Sequence, residues 1–311
     1  MSGSAQGRSP ELQRVYRMWQ GVLSDRGSDL TTMRDTVEEF YRRNFHLAED
    51  VEVEAVFDPV PGLWITTPAG RGRSLLYFHG GGYALGSSRA HAEMASWIAR
   101  AARARVFVLD YRRAPEYRFP AAVEDALLAY RWLLNSGADP RTIAVGGDSA
   151  GGGLTLALLT SLRDRGEPLP SCGVCISPWV DLEMTGASII SKAALDPLLT
   201  RQGLQQFADW YLGGQDPRHP LVSPIHAGLR GLPPLLIQVG TSEILLDDAL
   251  RLVERARDAG VRVTLSQYDD MPHVWHVFAS FLPEARQAAN EIGDFVMQHS
   301  PRAAAANQQP R

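Results

Sequence analysis

Two rhythms of apolar residues divide the chain. Near the start they recur at helical spacing, which predicts amphipathic helices over about Pro10–Gln20 and Leu30–Phe45, separated by a Gly/Ser/Asp-rich turn. Residues 1–9 lack the pattern and are expected to be disordered. Val51–Phe57 alternates acidic and apolar residues, as a half-exposed edge strand does, and Leu63–Thr67, after Pro61-Gly62, is its expected hairpin partner. From Ser74 the pattern becomes strand–helix alternation. Leu75–Phe78 is a continuous apolar run, which suits a parallel strand covered on both faces. There follow a helix (about Ala90–Arg103), a strand (Val106–Leu109), a helix (Ala121–Asn135), a strand (Thr142–Gly146), a helix (Gly152–Arg163) and a strand from Cys172 that ends at Pro178. A strand at Leu235–Val239, a helix at about Asp247–Ala259, a strand at Val261–Tyr268 and a helix at Glu284–His299 close the series. Such alternation implies an α/β fold, a mostly parallel sheet wrapped by helices.

One segment breaks the spacing. Asp181 to Pro234 is long, irregular and rich in Pro and Gly, yet carries Met184, Leu195, Leu198, Leu199, Phe207, Trp210 and Tyr211. A long insertion inside a compact domain usually serves function. It is expected to lie over the active site with the N-terminal helices. Residues 1–50 and 182–225 are accordingly assigned to a helical cap, 51–181 and 226–300 to the α/β core, and 301–311 to a disordered tail.

Composition excludes several classes. The 311 residues include 31 basic and 35 acidic side chains, a net charge of −4, with no basic tract for nucleic acid or an anionic membrane. No apolar run is long enough to span a bilayer, and the polar start (MSGSAQGRSP) does not resemble an export signal, so a cytoplasmic location is expected. Cys172 and Cys175 form a C-x-x-C, but on a strand rather than opening a helix, where a thiol pKa would be lowered. Residues three apart on a strand face opposite ways, so two buried core thiols are expected.

Candidate chemistry gathers where strands end. Gly147-Asp148-Ser149-Ala150-Gly151 has the G-x-S-x-G form between a strand and a helix, the context a nucleophile elbow requires. The competing reading is a Gly-rich turn with a serine helix cap. His79-Gly80-Gly81-Gly82 directly follows the strand at Leu75–Phe78; its backbone N–H groups, with that of Ala150, could form an oxyanion hole at Gly81, Gly82 and Ala150. The run matches neither nucleotide-binding glycine pattern. His79 itself is read as anchoring that loop. Past the last strand, His273 follows a proline at the strand end and is preferred as base, with His276 a partly buried structural histidine; His91, His219, His226 and His299 lack such context. Glu243, three residues after Gly240, is the expected orienting acid. Asp247 and Asp248 compete for that role, but a place in the first helical turn accounts for both. The order Ser149, Glu243, His273 is that of α/β-hydrolases, unlike the chymotrypsin or subtilisin orders.

With these motifs together the sequence resembles the hormone-sensitive lipase-type family of bacterial esterases, within the α/β-hydrolases. The resemblance rests on His79-Gly80-Gly81-Gly82-Tyr83-Ala84-Leu85-Gly86, Asp110-Tyr111-Arg112-Arg113-Ala114-Pro115-Glu116, Phe119-Pro120-Ala121-Ala122 and Gly147-Asp148-Ser149-Ala150-Gly151. It implies a twisted eight-stranded sheet with a helical cap, and hydrolysis of short- to medium-chain carboxylic esters without metal or organic cofactor. It also implies Ser149 as nucleophile, His273 as base, and Gly81, Gly82 and Ala150 as the oxyanion hole. The family's usual Asp-Pro-Leu-x-Asp at the acid is replaced by Glu243-Ile244-Leu245-Leu246-Asp247, and Arg113 stands where an apolar residue is common. Asp110 and Arg112 are read as scaffold that holds loops by ion pairing. The expected partner is a small-molecule ester, with a homodimer and a monomer both open. The competing functions are a lactone hydrolase on the same residues and a non-catalytic small-molecule-binding module. Plant gibberellin receptors resemble the family in the second way but lack the histidine.

Overall fold

In a computed structural model of the protein, describing residues 7–22, 29–70 and 72–302, an eight-stranded sheet forms the centre of the molecule. Residues 1–6 of the start expected to be disordered, most of the turn between the first two helices, and the tail beyond Arg302 lie outside the described residues. The strands are β1 (Glu52–Val56), β2 (Gly62–Thr66), β3 (Ser74–Phe78), β4 (Arg105–Leu109), β5 (Ile143–Asp148), β6 (Cys172–Ile176), β7 (Leu235–Gly240) and β8 (Val263–Tyr268). Their order is β1-β2-β4-β3-β5-β6-β7-β8. β2 pairs antiparallel with β1 and β4, and the remaining pairs are parallel. β5, β6 and β7 are buried throughout, which is why they read as unbroken apolar runs.

That order sets the site. From β3 the chain crosses to β4 on one side, then returns to β5 on the other. The loops leaving the ends of β3 and β5 therefore diverge over a crevice, the place where open parallel sheets bind ligands. The first carries His79–Gly82, the second Ser149.

Flanking the sheet are α3 (Ala92–Ala102), α4 (Ala121–Asn135), α5 (Ala150–Asp164), α8 (Leu246–Asp258) and α9 (Pro283–His299). At the strand ends stand α1 (Pro10–Val22) and α2 (Leu30–Asn44), and the insertion with α6 (Ser188–Ser191) and α7 (Arg201–Leu212). α1 buries Leu12, Val15, Tyr16, Trp19 and Val22, an i, i+3, i+4, i+7 stripe. Asp29 caps α2 by accepting the N–H groups of Thr31 and Thr32.

Two expectations need correction. β1 was expected to be half exposed, yet Glu52 through Ala55 are all exposed, because it is the edge strand and pairs with β2 alone. Asp110 does not act by ion pairing: its carboxylate accepts the N–H and hydroxyl of Ser88, both at 2.6 Å. Arg112 does pair, with Asp125 at 2.8 Å and Glu124 at 2.9 Å. The cysteines are free and buried, and burial pushes their thiols up to about 11 and about 12.

Candidate active site

Ser149 sits at a turn so tight that its backbone lies at φ 55°, ψ −120°, where a side chain is strained. The strain is held from both sides of the peptide: Ser149 N donates to Ile176 O at 2.9 Å, and Ser149 O accepts from Trp179 N at 3.0 Å. The turn also demands close backbone approach. A Cβ on Gly151 would run into the carbonyl oxygen of Phe78, so only glycine lets the helix start so near β3.

The loop after β3 is a second ordered turn. Gly81, at φ +117°, accepts the N–H of Ala84 and Leu85 through its carbonyl. His79 donates from Nδ1 to Gly80 O at 2.8 Å and stacks on Tyr111 at 4.3 Å, while Tyr111 donates its hydroxyl to His79 O. Burial first, then the neighbouring His91, pushes the His79 imidazole down to about 4, so it is neutral at pH 7. Gly81 and Gly82 lie outside regular structure, and Ala150 opens α5, where a helix leaves its first N–H groups without internal partners. Phe207 of α7 packs against Gly82, and Tyr211 stacks face to face on Tyr83 at 3.8 Å.

His273 and Glu243 meet in the interior. Their Nδ1 and Oε2 atoms are 2.6 Å apart, and both side chains are buried. The other oxygen of Glu243 accepts the Ser177 hydroxyl and Gly240 N, each at 2.8 Å. The glutamate thus curls back onto the residue three before it, which absorbs its extra methylene. Burial alone would lower the His273 pKa. The charge and hydrogen bond of Glu243 overcome this, with help from Asp196 and Asp148, and the net direction is upward.

A cavity with about 710 Å³ of space, part of it open to solvent, joins these groups. Ser149, His273, Gly81 and Gly82 all line it. Its apolar wall is built from both attached regions: Trp19, Val22 and Val37 of α1 and α2, with Leu198, Leu199, Leu204 and Phe207 of the insertion.

The rival residues are placed elsewhere. Asp247 and Asp248 occupy the first turn of α8 but also hold the insertion: Asp247 accepts Ser188 N, and Asp248 accepts Val180 N and Asp181 N. Burial raises the Asp248 carboxyl to about 8. His276 is fully rather than partly buried, bonded to Gln238 at 2.8 Å and pushed by burial down to about 3.

Other residues near the site carry no recognisable signal in sequence. His91, given no role on sequence grounds, lines the cavity 3.5 Å from Asp148, which also accepts the Tyr77 hydroxyl. Burial favours a neutral Asp148, but His91 and Tyr77 outweigh it and hold the carboxyl below its ordinary range. Ser177, Asp196, Trp19 and Arg34 are further examples. Among the described residues, Asp181, Glu183 and His226 are close enough together to share a metal ion. Asp181, however, is already engaged by Glu183 N, Thr185 and Arg251.

Comparison with known proteins agrees with this geometry. A family model described as the alpha/beta hydrolase fold matches residues 75–277. An acetyl-hydrolase of Streptomyces hygroscopicus is 51% identical over 75% of this chain and 78% of its own length. An esterase of Acinetobacter venetianus is 37% identical over 76% and 78%. The crystal structure of an esterase from the bacterial hormone-sensitive lipase family superposes with a TM-score of 0.92 at 49% identity, covering 94% of this chain and 99% of that one. EstE5, in a crystal soaked with p-nitrophenyl butyrate, gives 0.89 at 43% identity over 94% and 99%. The chain therefore belongs to the α/β-hydrolase fold family and, within it, to the bacterial hormone-sensitive lipase-type esterases, which makes it a carboxylic ester hydrolase.

Proposed function

We propose that the protein is a serine carboxylesterase acting on short- to medium-chain esters through an acyl-enzyme on Ser149. The observation that carries this reading is the buried 2.6 Å contact between His273 Nδ1 and Glu243 Oε2, in a site whose cavity wall also holds Ser149. A carboxylate facing Nδ1 fixes the proton on that nitrogen and leaves the lone pair on Nε2. His273 then takes the Ser149 proton as the hydroxyl oxygen attacks the ester carbonyl, and Glu243 stabilises the imidazolium. The N–H groups of Gly81, Gly82 and Ala150 receive the oxyanion. Collapse expels the alcohol, protonated by His273, and water repeats the sequence on the acyl-enzyme.

The apolar wall suits the acyl or alcohol chain of an ester, and a space of about 710 Å³ suits a short to medium one. Because both attached regions contribute to that wall, residues 1–50 and 182–225 are read as a cap over the core formed by 51–181 and 226–300. Among the described residues, no helix is long and apolar enough to cross a membrane.

A series of p-nitrophenyl esters from acetate to decanoate, beside simple lactones, tests the reading. Hydrolysis should peak at the shorter esters, and Ser149→Ala should lower kcat by at least about 10⁴-fold. A fluorophosphonate probe should label wild type at Ser149 alone. An unlabelled serine, or an alanine variant with full activity, would refute the mechanism.

A further inference from the structure

The insertion carries a buried carboxylate with no part in the steps above. Asp196 lies in the irregular stretch between α6 and α7 and is 9% exposed, low for an aspartate. Its partners are backbone N–H groups. Oδ1 accepts Leu198 N at 2.9 Å and Leu199 N at 2.8 Å, closing a turn whose two leucines stand in the cavity wall. Oδ2 accepts Ile244 N at 2.9 Å, on the residue directly after Glu243. A single side chain therefore ties the pocket wall to the turn that carries the acid.

We propose that Asp196 is a positioning residue for the base: it fastens the Glu243–Ile244 turn to the insertion and places a second carboxylate charge within reach of His273. The inference rests on the reading of His273 as base. Charged and titratable groups from several elements act electrostatically on this imidazole. Glu243 comes from the turn after β7, Asp148 from the end of β5, Asp196 from the insertion and His276 from the turn after β8. Tyr16 of α1 lies within electrostatic reach of Asp196. His276 is neutral, being pushed down to about 3, and Asp148 is engaged by His91 and Tyr77. Asp196 is therefore the carboxylate beside Glu243 whose charge is not taken up by another side chain in a described ion pair. Burial pushes its own pKa up, while His273 and the three N–H donors oppose this.

The sign of the effect follows. Each negative charge near His273 stabilises the imidazolium, so removing one lowers the imidazole pKa and keeps the base neutral at lower pH. The pH dependence of kcat/KM in wild type, Asp196→Asn and Asp196→Ser reads this directly. The acid limb of wild type should lie above ~6.5, the ordinary histidine value. In both variants it should move down by about half a pH unit or more, since Glu243 remains as the main partner. The plateau kcat should fall about tenfold as the acid's turn loosens. A plateau that falls while the acid limb stays in place would make Asp196 a structural staple only and overturn the proposal. Unchanged profiles, or failure of both variants to fold, would overturn it as well. A wild-type profile with no acid limb would instead refute His273 as base, so the two failures are distinguishable.

Discussion

The tight turn at Ser149 and the helices α1 and α2 beside it are held by different means. At the turn, backbone lies against backbone: Gly147 and Gly151 face carbonyl oxygens with no room for a Cβ, and Ser149 is hydrogen-bonded through both its N–H and its carbonyl. Besides their apolar packing, α1 and α2 reach the loops around the cavity through a few long side chains that donate to carbonyl oxygens. From α1, Tyr16 donates to Asp270 O at 3.0 Å and Trp19 to His273 O at 2.9 Å, both in the loop that presents the His273 imidazole. From α2, Arg34 donates to Ala84 O and Ala114 O, both at 2.9 Å, in the loops after β3 and β4. Packing without free volume fixes one conformation and tolerates almost no change. Single hydrogen bonds are each worth about 1 kcal/mol net, so they can be altered one at a time. The turn should therefore fail as a whole, while the helix contacts should tune.

The largest effect expected is at Gly151. Gly151→Ala places a methyl against the Phe78 carbonyl, in a strand paired on both sides, with no flexible side chain to move away. The cost should be about 3 kcal/mol or more, measured by denaturant unfolding, with loss of activity following loss of fold. A soluble variant of wild-type stability would show that the turn can yield, and the contrast with α1 and α2 would disappear.

The same contrast governs what could be read from the sequence. The Ser149 turn was legible because its demands are local: a β-branched run, a glycine-flanked serine and an apolar helix all fall within about twenty residues. The expected helix Ala121–Asn135 and the central strands β3 and β4 match the structure to within a residue, since helical spacing and buried parallel strands are also local signals, whereas β8 is only partly buried and begins at Val263 rather than Val261. The fasteners were not legible. Ser177 reads only as a strand end, although its hydroxyl reaches Glu243 across 66 positions of chain. Asp196 meets Ile244 across 48 positions, and His91 was set aside for lying in a helical segment. In α1 the apolar stripe announces a covered face, but nothing in a 3.6-residue period says that Trp19 will bond to a carbonyl 254 positions away. Polar contacts between distant segments have no period, and a single sequence carries no record of them.

Arg34 gives the intermediate test. Its guanidinium bonds Ala84 O of the loop after β3 and Ala114 O of the loop after β4 and pairs with Glu116 at 2.7 Å, and that pairing holds the Glu116 carboxyl down to about 2. Glu116 is half exposed, so the ion pair itself should contribute little. Arg34→Ala should lower kcat about tenfold, short of the hundredfold or more that follows loss of an oxyanion donor. Arg34→Lys should not restore it, since one ammonium cannot span two carbonyls as a planar fork does. Glu116→Gln should leave kcat nearly unchanged. If Glu116→Gln proved as harmful as Arg34→Ala, the surface pair would be the important contact and α2 would act from outside.

Trp19 should show the smallest effect and separates fastening from lining, because it does both. Its indole packs on Phe40 at 5.5 Å and Phe278 at 4.8 Å and lines the cavity, while Nε1–H holds the His273 carbonyl. Trp19→Phe keeps an aromatic ring among those neighbours and deletes the donor. The His273 carbonyl then loses one partner, and the imidazole is held less firmly in place. The expected outcome is a fall in kcat of about fivefold, the rate equivalent of about 1 kcal/mol, with KM changing less. A fastening role requires the loss to appear in kcat, since misplacing the base hinders the transition state and leaves ground-state binding nearly intact. A rise in KM with kcat preserved would mean that Trp19 matters as pocket wall alone, and the His273 loop would then depend on Tyr16 and on Ser177, whose hydroxyl accepts Val274 N at 3.3 Å.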